Sequence, residues 1–309
     1  MPAKRLALKI DVDTLRGTRE GVPPLIAVLK KYGAQATFLF SLGPDNTGRA
    51  LRRVFRRGFL QKVFRTNVAA NYGLKTLMYG VLIPGPDIGQ QAAEPMRAAR
   101  DAGFEVGIHT WDHVRWQDNV AVKDEAWTRE DFNKAVARFE EVFGTKPTTF
   151  GAAGWQMNAH AFELESMHRM DYASDTRGTA PFMPEMHGRV FAVPQLPTTL
   201  PTLDELVGVD GITVENVADH LLKLTAGEAP PHGHVFTLHA ELEGMALLPV
   251  FEKLLAGWKA QGYRLVATRD IAAGLDRKSL PISTVVMSEV PGRSGTLAVQ
   301  GPACEVVKV

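Results

Sequence analysis

An alternation constrains this chain more than any other feature. Short β-rich runs take turns with amphipathic helical stretches across almost all of its 309 residues. A strand followed by a helix and a further parallel strand makes a right-handed crossover, and repetition of that step curls a parallel sheet with helices outside it. The expected fold is therefore α/β: a single distorted (β/α) barrel of about seven strands. Leu6, Leu8 and Ile10 form one face of the first strand, and further strands are expected at 36–42, 104–109, 148–151, 171–174, 189–195, 234–240 and 263–268. Helices are expected over 21–32, 89–102, 159–169, 214–225 and 246–261. A capping-box pattern at Thr128 and Asp131 predicts one more, running to about Val142.

Two segments break the alternation. Residues 43–88 form an interval far longer than an ordinary βα loop. From Arg277 the periodicity is lost and Pro, Gly and Ser accumulate. The expected division is a barrel over residues 1–276 that includes the 43–88 insertion, then a tail at 277–309 that is partly disordered or lies against the barrel. The hydrophobic fraction of 45% and the charged fraction of 22% exclude a disordered or fibrous chain. One cysteine, Cys304, excludes a disulfide framework and a cysteine zinc site, so any metal must be held by His and carboxylates. No run of about 18 uncharged apolar residues and no apolar signal core occur, which predicts a cytoplasmic protein that does not span a membrane.

In parallel α/β folds functional groups gather at the C-terminal ends of the strands. The first strand ends in Asp11-Val12-Asp13, two carboxylates pointing the same way; such a pair also suits a solvated turn. The third ends at His109, with His113 four residues on, a spacing at which two imidazoles on one helical face bind one divalent cation. His239 closes an apolar strand near the C-terminus, where it suits either a proton donor or a buried structural histidine. Asp175 and Arg177 follow another strand and suit orienting roles or a surface ion pair. Two His and one Asp leave open positions on a metal, and a second Asp and a third His supply base and acid.

In this order, Asp-x-Asp, His-x-x-x-His and a late Leu-His, the residues resemble the polysaccharide deacetylase (NodB-homology, carbohydrate esterase family 4) family. The resemblance covers about residues 5–275. The stretches KIDVDTLRGTREGVP, FSLGPDN, VGIHTWDHVRWQ, AAGWQ, SDTRG, QLPTTLPTLDE and TLHAELEG narrow it to members acting on a formamido sugar carried by undecaprenyl phosphate, in the aminoarabinose modification of lipid A. The resemblance implies that Asp13, His109 and His113 hold a divalent metal (zinc, cobalt, manganese or nickel), that Asp11 is the general base, and that His239 is the general acid. It implies a deformylase working at the cytoplasmic face of the inner membrane. An N-deacetylase of another amino sugar, or a noncatalytic lipid-carrier or sugar-binding barrel, are the alternatives.

This chain departs from the family pattern twice. Val12 separates aspartates that are adjacent in typical members. The stretch that elsewhere begins with an arginine paired to the base reads Gly151-Ala152-Ala153-Gly154-Trp155 here, which leaves Arg177, Arg16 and Arg19, in that order, as expected partners of Asp11. Trp155 suits a sugar-stacking wall or core packing.

The charge is unevenly spread. A net charge of +1 gives no global attraction to nucleic acid or lipid. Yet Asn46 to Pro86 carries eight basic residues, Arg52, Arg53, Arg56 and Arg57 among them, and no acidic one. Apolar residues fall at helical spacing beside them, and a second apolar patch follows at 77–86. A basic amphipathic segment of this kind binds an anionic lipid interface or packs its stripe on the barrel. No nucleic-acid module is recognisable, so none is expected as a partner.

Overall fold

The computed structural model describes residues 4–50 and 74–304; Arg52, Arg53, Arg56 and Arg57 lie outside the described residues. A seven-stranded sheet has the order β5-β4-β3-β2-β1-β8, with β9 also paired to β1. These strands are β1 (Arg5–Val12), β2 (Thr37–Ser41), β3 (Glu105–Thr110), β4 (Thr149–Phe150), β5 (Tyr172–Ala173), β8 (His234–His239) and β9 (Arg264–Val266). Every pairing among them is parallel. Between β5 and β8 the curled sheet is joined by the extended segment at 195–200. Leu196 N–H donates to Ala173 O on one side, and Thr199 N–H donates to Val235 O on the other.

That segment corrects one expectation. A barrel strand was expected at 189–195, but only Arg189–Val190 (β7) is strand there, and it pairs antiparallel with β6 (Met183–Met186), outside the barrel. Pro194 and Pro197 cannot donate to a ladder, so the chain crosses the gap as an irregular strand instead.

β1 is buried on both faces, as a parallel strand must be. Leu6, Leu8, Ile10 and Val12 pack in the main core between sheet and helices. Ala7 turns the other way, into a smaller cluster with Tyr172, Leu196, Val235 and Val266 inside the curl. Above that cluster the interior becomes polar: Thr37 Oγ1 and Tyr172 OH both donate to Glu105 Oε2, at 2.5 and 2.8 Å.

The helices begin and end where local chemistry requires. Val22–Tyr32 starts on Pro23 and Pro24, whose missing N–H groups cost nothing in a first turn, and stops at Gly33 with φ 60°. The capping box expected at Thr128 does not open its helix. Glu125–Phe143 starts one turn earlier, because the Asp124 carboxylate accepts from Trp127 N–H, and Thr128 Oγ1 instead donates to Asp124 O.

Residues 282–303, where no strand was expected, form a hairpin. β10 (Ile282–Glu289) pairs antiparallel with β11 (Thr296–Ala303) and parallel with β6, giving a second, four-stranded sheet in the order β11-β10-β6-β7. Among the described residues no helix is long and apolar enough to cross a membrane.

Candidate metal and catalytic site

The C-terminal ends of β1, β3 and β8 meet at one place, because β1 lies in the sheet next to both β2 and β8, and β2 carries β3. His239 sits level with Asp11 in the β1–β8 pairing. On the other side a β-bulge does the aiming. Phe40 pairs with Ile108 but Ser41 pairs with Thr110, so His109 is the extra residue, and Thr110 takes φ 130°. Bulges of this kind re-aim a side chain next to a site. The chain then turns at Asp112, whose carboxylate accepts from Arg115 N–H and caps the helix His113–Asn119. The two histidines therefore converge through a strand, a bulge and a helix start, and not on one helical face as their spacing alone suggests.

Asp13 lies between them. Its Oδ1 is 3.3 Å from His109 Nε2 and its Oδ2 is 3.4 Å from His113 Nε2. The imidazole rings are 5.3 Å apart, and one donor atom from each of the three residues lies within 4.8 Å of the other two. The donor set fits a divalent cation. His109 Nδ1 is 2.7 Å from Gly151 O, so that nitrogen carries the proton and Nε2 offers a lone pair toward Asp13. Asp13 Oδ1 is buried with no hydrogen-bond partner, which is costly unless a cation takes it up. Burial pushes the Asp13 carboxyl up, but the neighbouring His113, His109 and His239 outweigh it and hold the group well below the usual carboxylate range. Burial likewise lowers His109, and the Asp11 and Asp13 carboxylates outweigh it and raise it.

Asp11 is buried beside this set, 3% exposed, with Oδ1 3.8 Å from His109 Nδ1. His239 is half-buried. Its backbone N–H donates to Glu243 Oε2 at 2.8 Å, and its Nδ1 has no hydrogen-bond partner among the described residues. Burial raises Glu243 to about 8, so at neutral pH it is largely the protonated acid.

The structure does not bring every expected residue here. Asp175 is fully buried, but it accepts from Ala152 N–H at 2.7 Å and Gln195 Nε2 at 2.8 Å, so it holds the 151–155 loop rather than an imidazole. Arg177 is ion-paired with Glu205 and donates to Leu200 O. Arg16 pairs with Glu20 at 2.8 Å, and Arg19 donates to Gln91 O. Each of the three is thus taken up by a partner other than Asp11. Trp155 is 2% exposed, too covered to be an open stacking wall, and its ring packs against Lys9, Arg177 and Arg293.

Two residues that sequence reasoning passed over complete the site. Glu241 Oε1 accepts from Asp13 N–H, Thr14 N–H and Thr14 Oγ1, at 3.1, 2.9 and 2.8 Å. Lys9 lies with its Nζ 3.5 Å from Asp11 Oδ2. Glu241 stands two residues after His239 in the TLHAELEG stretch, which was the available signal.

A curled parallel sheet gathers two histidines and an aspartate at its strand ends, beside a second aspartate and a third histidine, an arrangement able to hold a divalent cation next to acid and base groups. The polysaccharide deacetylase family model matches residues 1–173, and the chain belongs to that family. A Shewanella sediminis protein with the name "Probable 4-deoxy-4-formamido-L-arabinose-phosphoundecaprenol deformylase ArnD" is 36% identical over 96% of this chain and 94% of its own. A relative of the same name from Wigglesworthia glossinidia brevipalpis is 31% identical over 92% of this chain and 98% of its own. Among solved structures, a Mycobacterium smegmatis protein of the polysaccharide deacetylase class superposes with a TM-score of 0.61 at 17% identity, covering 94% of this chain and 97% of its own. One from Pseudomonas aeruginosa superposes with a TM-score of 0.55 at 16% identity, covering 87% and 90%. These two share the fold.

Proposed function

We propose that the protein is a divalent-metal-dependent deformylase that hydrolyses the formamide of 4-deoxy-4-formamido-L-arabinose carried on undecaprenyl phosphate, releasing formate and the free 4-amino sugar lipid. The observation that carries this reading is the convergence of Asp11 and His239 on the Asp13, His109 and His113 cluster. The substrate comes from the names of the two relatives.

Asp13, His109 and His113 would hold the metal; two imidazoles and a carboxylate accept zinc, cobalt, manganese or nickel. When bound there, a divalent cation supplies Lewis acidity, polarising the formyl carbonyl and lowering the pKa of water. Asp11 takes the proton from the attacking water. Its Oδ1 lies 3.8 Å from His109 Nδ1 with no hydrogen-bond donor of its own, so it is free to accept one. The water oxygen adds to the formyl carbon, the C–N bond breaks, and His239 gives its proton to the departing nitrogen, an otherwise poor leaving group. Glu243 fixes the His239 backbone, and Glu241 fixes the turn that presents Asp13.

The insertion grows from the rim of this site. Asn46 donates to Asp112 Oδ2 at 2.6 Å, one residue before His113, and Gly43 N–H donates to Trp111 O. On its described return path Val81 is 49% and Leu82 is 75% exposed. Exposed apolar residues on an insertion rich in Arg and Lys support association with an anionic membrane surface, here the cytoplasmic face of the inner membrane, where the lipid-linked sugar would enter beside the cluster.

The test is mass analysis of the lipid-linked formamido sugar after incubation with metal-loaded protein. Asp11→Asn and His239→Ala are each expected to lower turnover by about 10²- to 10⁴-fold while metal content stays at the wild-type level. Near-normal turnover in either variant refutes the role assignment, and faster release of acetyl than of formyl refutes the substrate. For the membrane, wild-type protein is expected to sediment with anionic vesicles less as salt rises. Undiminished binding after Arg52, Arg53, Arg56 and Arg57 are neutralised counts against that part.

A further inference from the structure

Lys9 is a charged side chain inside the curl that simple packing does not explain. It lies in the middle of β1, level with Thr37 of β2 and Thr237 of β8, and is fully buried. Barrel interiors are ordinarily filled at such positions by branched apolar residues, and an ammonium removed from water is costly unless paired. Its surroundings pair it. Nζ donates to Ser174 O at 2.8 Å, lies 5.3 Å from the centre of the Trp155 ring, and stands 3.5 Å from Asp11 Oδ2.

A glycine lies against its head. A Cβ on Gly151 would lie 3.4 Å from Lys9 Nζ, 3.2 Å from its Cε, and 2.3 Å from Leu39 Cδ1. The head of the 151–155 stretch, which brings no cation of its own to Asp11, is thus bare where the ammonium of β1 comes up beneath it. Gly151 O meanwhile holds His109 Nδ1, which keeps that proton away from Asp11.

The two oxygens of Asp11 are therefore unlike. Oδ2 faces the Lys9 ammonium, and Oδ1 lies 3.8 Å from Nδ1 of His109 without a hydrogen bond. The geometry points to Lys9 as the positioning residue of the reaction: from within β1 it anchors Oδ2 of Asp11, so that Oδ1 is presented to the attacking water. It touches neither substrate nor metal and acts only through Asp11. This inference rests on the reading of Asp11 as the base, and the experiment separates the two.

Turnover of metal-loaded protein is measured for Lys9→Met, Lys9→Gln and Lys9→Arg, each alone and the first two also in the Asp11→Asn background. Melting temperature and bound metal are recorded for every variant. Lys9→Met removes the charge and every donor, whereas Lys9→Gln keeps a donor for Ser174 O and so spares the fold. Both are expected to lower kcat by about 10²-fold, the scale of a misplaced catalytic group, with KM changed less than about threefold and metal still bound. Lys9→Arg is expected to keep at least about tenfold more turnover than Lys9→Gln, because it retains a cation in the pocket. In the Asp11→Asn background neither Lys9→Met nor Lys9→Gln is expected to lower the residual rate further. Wild-type kcat in Lys9→Gln, or an equal loss with and without Asp11, overturns the inference and leaves Lys9 a packing residue. If Lys9→Met fails to fold, Lys9→Gln decides alone. Full turnover in Asp11→Asn itself would instead overturn the base assignment, which is a different result.

Discussion

Glu241 receives three hydrogen bonds through a single oxygen, from the backbone and side chain of the turn that carries Asp13. The fit is tight: a Cβ on Gly17 would come within 1.9 Å of that oxygen. Burial, and then the charge of Asp13, push the Glu241 carboxyl well above its usual range. What Glu241 contributes is therefore an oriented acceptor more than a charge. Glu241→Gln, whose amide oxygen accepts in the same place, is expected to bind metal within a few-fold of wild type. Glu241→Ala is expected to lose about 10- to 100-fold in metal affinity, as losses of supporting hydrogen bonds around metal ligands do. Calorimetric titration of the metal-free proteins distinguishes them, and equal affinities would show that the Asp13 turn holds itself. The contrast between Glu241 and Asp13 also marks what could be read from residues alone. Asp11, Asp13, His109, His113 and His239 stand out because their chemistry sits at strand ends. Lys9 does not, because a lysine at an alternating strand position reads as solvent-facing until closure of the sheet puts it inside.

Helices and strands were legible where period and caps agree, as over Val22–Tyr32, and illegible where partners far along the chain decide. The helix Glu125–Phe143 shows this through Asp131, which a local reading takes for part of a cap. Its side chain is in fact fully buried and reaches Arg115 Nη1, on the helix that begins at His113, at 2.8 Å. Burial outweighs that ion pair and raises Asp131 to about 7. The sign of the consequence follows from linkage. Between the unfolded value near 3.8 and the folded value near 7 the native state holds a proton that the unfolded chain releases. Stability from this group is therefore complete at acid pH, falls as pH rises through the window, and is level above it, with a slope of at most about 1.4 kcal/mol per pH unit. Asp131→Asn cannot titrate. Urea midpoints measured from pH 4.5 to 7.5 are expected to decline less steeply in the variant than in wild type, and parallel curves would assign the decline to other carboxyls.

At the scale of the whole molecule, one arrangement could be read from the sequence and another could not. The near-neutral total hides an insertion of eight cations against a remainder with 27 basic and 34 acidic residues. The C-terminal segment, aperiodic in sequence, is held by contacts to distant loops. Arg177 N–H donates to Ala298 O and Gln300 N–H donates to Arg177 O, while Gln300 Oε1 accepts from Thr179 N–H. The turn between β10 and β11 brings Arg293 over Trp155, 4.7 Å from the ring centre, and its Nε donates to Glu205 Oε1 at 2.7 Å. That turn fits only with glycine at 292, which has φ 81° and where a Cβ would lie 2.4 Å from Glu205 O. The hairpin thus clamps the loops that hold Trp155 and Arg177, and Trp155 covers Lys9. By contrast, Asp13, His109 and His113 hang on β1, β3 and the helix after β3, while the hairpin pairs with β6 and bridges to Arg177. Removal of the chain after Asp276 should accordingly split two properties that a single cooperative site would lose together. The truncated protein is expected to melt several degrees lower and to turn over slowly, because Leu297 and Ala298 no longer cover the interior and the 151–155 loop is released. It is expected to bind metal with nearly wild-type affinity. Loss of metal binding in a truncated protein that still folds, judged by its circular dichroism, would mean that the hairpin supports the cluster directly; wild-type melting and turnover would mean that it clamps nothing.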